Sequence, residues 1–238
     1  MIKDRLDEIH NIYTDVFGAK YRDDLEKSLR ALTIIEYTKD TIDLNKRFRN
    51  KNYLFTFPIP IKHPYPNFIA HNILADGTSK PFAMIKKNDH APEYADIHDY
   101  VINHELTHGI LSFTKPAYRQ IDFGTGLKRH HLNFITNKFE KTSYESNAIT
   151  NLNECVTDLI AIPLTRRMHE RGMYFYDKTD NPRKYATTLL SSGENFLKAL
   201  PFFEKYKHII IEAGLKKNHD LIVSEIGIET IQKAARDL

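Results

Sequence analysis

Residues 96–113 run Asp-Ile-His-Asp-Tyr-Val-Ile-Asn-His-Glu-Leu-Thr-His-Gly-Ile-Leu-Ser-Phe. The spacing predicts a helix that begins near Asp96, a suitable N-cap, and runs to about Phe113, short of Pro116. At about 100° per residue, His104 and His108 fall within ~40° of each other on one face, so both imidazoles can reach one ion. Glu105 is offset by one residue step, which lets it reach water at such an ion without being a ligand. Ile102, Leu106, Ile110 and Phe113 form an apolar stripe on the opposite side, while Ile97, Val101 and Leu111 flank the histidines. A helix apolar on both sides belongs inside a protein, and two buried histidines beside a buried glutamate need partners or a metal.

A catalytic zinc takes three protein ligands and keeps a position open for water. A glycine and a histidine three and six residues beyond His108 would supply the third ligand locally, but Leu111 and Thr114 stand there. Further along, residues 153–158 read Asn-Glu-Cys-Val-Thr-Asp, which puts Glu154 and Asp158 one turn apart on a common face of a second helix. That helix is expected to start after Asn153, run through Ile162 and bend or stop at Pro163. Cys155, Val156, Leu159 and Ile160 face the other way, so Cys155 reads as a packing residue rather than a nucleophile. Inward carboxylates are costly unless a cation or donors meet them. Three other histidines compete for the role of third ligand. His130 and His131 read as members of a basic, exposed loop, and His169 lies beside Arg166, Arg167 and Arg171, where positive charge opposes a cation.

The two segments together resemble the gluzincins, zinc peptidases with a His-Glu-x-x-His helix and a later Asn-Glu-x-x-x-Asp segment. The likeness covers residues 97–113 and 151–162. It implies His104, His108 and Glu154 as ligands of one zinc ion, Glu105 as general base, and Asp158 as the carboxylate that orients His104. It also implies a zincin-like fold in which an extended peptide pairs with the edge strand before the metal helix, here Phe82–Lys86. A regulatory peptidase dedicated to one protein substrate, such as a repressor, is an alternative, because Glu154–Pro163 loosely resembles the third-ligand helix of such proteins. The non-enzymatic alternative is a zinc-braced binding module. Three ligands and no spare cysteine nearby speak against that brace. For the oxyanion donor, Tyr185 is chosen over Tyr144, Tyr176 and Arg183, since it begins the helix after the ligand segment.

Outward from these motifs, the fold reads as α+β. Residues 2–48 are charged and proline-free, with Leu25, Leu29, Leu32, Ile35 and Ile42 at helical spacing, and predict two amphipathic helices. Between Tyr53 and Lys87, short β-prone runs alternate with Pro58, Pro60, Pro64, Pro66 and Pro81 and a turn at Asp76-Gly77. Strands are expected at Tyr53–Ile59, Asn67–Leu74 and Phe82–Lys86, at least one of them an edge or a bulged strand. A looser stretch holding Gly124, Gly126 and Lys128-Arg129-His130-His131 precedes the second metal helix, and helices separated near Pro201, Gly214 and Gly227 complete the chain. This divides it into an N-terminal lobe, 1–113, with a small sheet and the metal helix, and a mainly helical lobe, 114–238, that supplies the third ligand.

The 238 residues carry a net charge of only +3, too dispersed for a nucleic-acid surface. The single cysteine excludes an internal disulfide framework, and neither a secretory leader nor a membrane-spanning run is seen. The expectation is a cytoplasmic hydrolase acting on a peptide or protein, without nucleic-acid or membrane partners.

Overall fold

The computed structural model describes residues 2–37, 53–55, 68–74, 79–86, 95–133, 135–136, 138–141, 147–175 and 193–238. After a 3-10 turn at Lys3–Arg5, helix α1 (Leu6–Phe17) buries Ile9, Ile12, Tyr13 and Phe17, spaced three or four residues apart. Gly18, at φ 106°, ends it, and α2 (Arg22–Ala31) follows with Leu25 and Leu29 inward. Leu32 and Ile35 do not continue this helix. The β-branched run Thr33-Ile34-Ile35 instead opens strand β1 (Thr33–Tyr37), where branched side chains pack on a pleated surface. The continuation toward Ile42 lies outside the described residues.

Strands β2 (Tyr53–Phe55), β3 (Phe68–Leu74) and β4 (Ser79–Lys86) join β1 in a sheet of order β1-β4-β3-β2. β4 runs antiparallel to β3 and parallel to β1, with Thr33 opposite Phe82 and Tyr37 opposite Lys86. The Phe82–Lys86 segment is therefore an inner strand, which corrects its expected place at the edge. Its backbone donors and acceptors are used by β1 on one side and β3 on the other, so no peptide can add there. Pro81 sits just before the stretch that β1 pairs, where β4 has one described neighbour and the missing N–H costs nothing. Pro58, Pro60, Pro64 and Pro66, the Asp76-Gly77 turn and the remainder of the Tyr53–Ile59 run lie outside the described residues.

Helix α3 (Ala95–Ile110) packs on β3, β4 and α2. It stops three residues earlier than its apolar pattern implies, because Ser112 and Phe113 already pair with Thr125 and Gly124. A second sheet occupies what reads in sequence as a loose stretch. It is an antiparallel meander of β5 (Ser112–Ala117), β6 (Gln120–Thr125), β7 (Lys128–Asn133) and β8 (Lys138–Lys141). Pro116 is accommodated because β5 is an outer strand among the described residues. His130 and His131 thus belong to a strand rather than an exposed loop.

Helix α4 (Asn147–Glu170) is longer than expected at both ends and runs straight through Pro163. Pro163 is exposed, so its ring packs against no buried neighbour, and the helix loses only the hydrogen bond its missing N–H would make. Helix α5 (Gly193–Leu215) likewise passes through an exposed Pro201, and α6 (Asp220–Glu225) and α7 (Ile228–Arg236) close the chain. α4 is the central element, packed against α1, α3, α5 and α7. Its buried Leu152, Val156, Leu159, Ile160, Leu164 and Met168 belong to one apolar cluster with side chains of all four. The fold is mixed helix and sheet, with the two motif-bearing helices packed side by side.

Candidate metal centre

The contact of α3 with α4 brings the distant motifs together. Tyr13, from α1, donates to Asn103 Oδ1 at 2.9 Å, and Asn103 donates to Thr165 Oγ1 at 2.9 Å, so a buried polar chain links three helices one residue before His104. At the N-terminal end of α3, Asp99 accepts from His169 Nε2 at 2.7 Å and from the backbone N–H of Phe175 at 3.1 Å. Beyond these ties, toward the C-terminal end of α3, the faces carrying His104, His108, Glu154 and Asp158 meet.

His104 Nε2, His108 Nε2 and Glu154 Oε2 form a near-equilateral triangle with sides of 3.0, 3.1 and 3.2 Å. Among the described residues, these three make the group of histidine, cysteine and acidic side chains able to hold a metal. Both rings are oriented from behind. His104 Nδ1 lies 2.8 Å from Asp158 Oδ1, a fully buried carboxylate that also accepts from the Tyr100 hydroxyl. Thr157 donates to the Asn153 carbonyl at 2.9 Å, which leaves its oxygen to accept from His108 Nδ1 at 3.4 Å. With a hydrogen on each Nδ1, both Nε2 atoms present lone pairs to one another and to a carboxylate oxygen. Such an arrangement is repulsive without a cation between the three atoms. Ligand atoms around a tetrahedral zinc with bonds of about 2.0–2.1 Å stand about 3.3–3.4 Å apart, close to these spacings. The donor set and its shape fit a metal ion.

Without a metal, a proton takes the same place. Burial opposes charge on His104, but the Asp158 and Glu154 hydrogen bonds and the nearby Glu105 outweigh it and raise its pKa to about 10. Burial dominates at His108 and lowers its pKa. Glu154 is held well below its ordinary value: burial resists ionisation, but the adjacent histidine pair and the Lys128 side chain prevail. Glu105 is buried on α3 beside the trio, and that burial lifts it to about 7 against the attraction of His104.

The other candidates are placed elsewhere. His169 is engaged by Asp99 and stacks on Tyr174 at 4.4 Å between ring centroids. His131 Nδ1 meets Asp122 Oδ1 at 2.7 Å, and His130 lies against the Phe123 ring. Cys155 is fully buried in the apolar cluster. Tyr185, Tyr144, Tyr176 and Arg183 lie outside the described residues. Three groups at the site were not anticipated. Tyr100 and Thr157 carried a signal, since they lie one helical turn from His104 and from Asn153 respectively. Lys128 carried none in local spacing; its Nζ lies 2.6 Å from Glu154 Oε1 because a hairpin delivers it from the second sheet.

No protein-family model, no curated protein and no solved structure matches the chain. No described helix is long and apolar enough to cross a membrane.

Proposed function

We propose that the chain is a zinc-dependent peptidase of zincin-like fold, with Glu105 as the general base. The observation that carries this reading is the convergence of two imidazole nitrogens and one carboxylate oxygen within 3.2 Å, on helices that also bury Glu105 beside them. A divalent ion held by that set, zinc on the chemistry of its ligands, would acidify water and polarise a substrate carbonyl. His104 and His108 serve as neutral rings with lone pairs inward, and Asp158 and Thr157 hold them in that tautomer. Glu105 stands outside the converging trio, so its carboxylate is left to take a proton from the attacking water and return it to the leaving amine. Because β4 is an inner strand, the substrate peptide lies along some element other than Phe82–Lys86; the outer strands of that sheet, among the described residues, are β1 and β2.

Glu105→Gln tests this directly. The variant should keep one metal ion per chain while hydrolysis of a peptide library, followed by mass spectrometry, falls at least ~100-fold. Near-normal turnover in a metal-loaded variant would remove Glu105 from the mechanism.

A further inference from the structure

The two oxygens of Glu154 face different partners. Oε2 lies 3.2 Å from His104 Nε2 and 3.1 Å from His108 Nε2, whereas Oε1 accepts from Lys128 Nζ at 2.6 Å. A carboxylate with both oxygens free can close on an ion through both, which fills a coordination position that a reactive centre needs for water. With an ammonium on its outer oxygen, it is confined to the inner one. We propose that Lys128 is a positioning residue that keeps Glu154 a one-oxygen ligand and so preserves an open position at the metal. This inference rests on the metal-centre reading above.

The backbone around Lys128 is built to hold it there. Lys128 follows a two-residue turn, Gly126-Leu127, between β6 and β7. Thr125 Oγ1 donates to the His108 carbonyl at 2.6 Å, and Gly126 N–H donates to the Leu111 carbonyl at 3.3 Å. Leu127 N–H donates to Asn153 Oδ1 at 2.7 Å, next in sequence to the ligand Glu154. Four successive residues, 125 to 128, thus tie the hairpin to the C-terminal end of α3 and to Asn153 and Glu154 on α4. Two glycines permit the approach. Gly126 has φ 55° and a Cβ there would stand 2.5 Å from Asn153 Oδ1, while a Cβ on Gly124 would stand 2.0 Å from the Lys128 carbonyl oxygen. The Lys128 side chain is 19% exposed, so its ion pair is shielded from the solvent screening that weakens surface pairs.

A role in charge balance alone would shift metal affinity without changing coordination, so the test reads coordination number. The protein is loaded with cobalt(II), whose visible absorption weakens as coordination rises above four. Wild type should bind one cobalt per chain with a strong band. Lys128→Met should keep the cobalt while the band falls at least about twofold, and Lys128→Arg, which retains charge and reach, should restore it. An unchanged band in Lys128→Met overturns the role of Lys128 alone, whereas wild type that takes up no cobalt overturns the metal centre as well. Circular dichroism checks the fold of each variant, and Lys128→Gln replaces Lys128→Met in the same measurement should the latter not fold.

Discussion

Asp158 is the residue on which the ligand geometry turns, since its Oδ1 receives both His104 Nδ1 and the Tyr100 hydroxyl at a site without solvent. Asp158→Ala should weaken metal retention by ~10–100-fold in chelator competition, with Tyr100→Phe showing the same direction and a smaller loss. Equal retention in wild type and Asp158→Ala would mean that the contact does not orient the ring. The proton on His104 makes a second prediction. A histidine raised to about 10 adds stability that is fully present below 6.5, its ordinary value, and is lost as pH climbs toward 10. A metal must displace that proton, so its binding should strengthen by up to ~10-fold per pH unit over the same window. The gap in Tm between metal-loaded and chelator-treated protein should therefore widen from about pH 6.5 to about pH 8.5. Remote groups titrate in both forms and cancel in the gap; a gap that stays constant would show that His104 carries no proton in the metal-free site. The histidine pair, Glu105, Glu154 and Asp158 were all legible as candidates, because one helical turn is a local property of the chain. Lys128 was not, because 26 residues separate it from Glu154 and only the hairpin closes that distance.

At the scale of elements, the β6–β7 hairpin is the feature that sequence periodicity hid. The alternation is short in β6, where only Ile121 and Phe123 are apolar before Gly124, and absent in β7, where Leu132 is the one apolar residue among Lys128, Arg129, His130, His131 and Asn133. Its tightest point is Gly124, where a Cβ would meet the Lys128 carbonyl at 2.0 Å and Phe113 Cε1 at 2.9 Å. Gly124→Ala should cost about 1–3 kcal/mol, read as a lower Tm, because the strands must part to admit one methyl group. It should also lower the cobalt(II) band as Lys128→Met does, since the same shift carries Lys128 away from Glu154. A variant with unaltered Tm and cobalt band would show that the hairpin yields freely. The metal helices themselves were legible from their periodicity, although Pro163 and Pro201 were expected to interrupt chains that in fact continue. Tertiary burial along α4 and α5 outweighs the ~3 kcal/mol that an interior proline costs a helix.

Across the whole molecule, α3 and α4 are joined by more than the metal site. The Tyr13–Asn103–Thr165 chain, the Asp99–His169 pair and the shared apolar cluster cross the same interface. Metal removal should therefore lower Tm yet leave the far-ultraviolet circular dichroism at 25 °C essentially unchanged, unlike small zinc domains that unfold outright. Loss of helical signal on chelation would show that the ion carries the fold. What the sequence alone determined is which side chains share a helical turn: His104 with His108, Glu154 with Asp158, and apolar stripes that send both helices inward, all set by a repeat of 3.6 residues. Which turns meet was decided only by the tertiary structure. The parallel pairing of β1 with an inner β4, the delivery of Lys128 to one oxygen of Glu154 and the seating of Asp158 behind His104 all join segments far apart in the chain. No local pattern encodes such contacts, because they follow from how the elements pack around α4 rather than from the spacing of residues within any one of them.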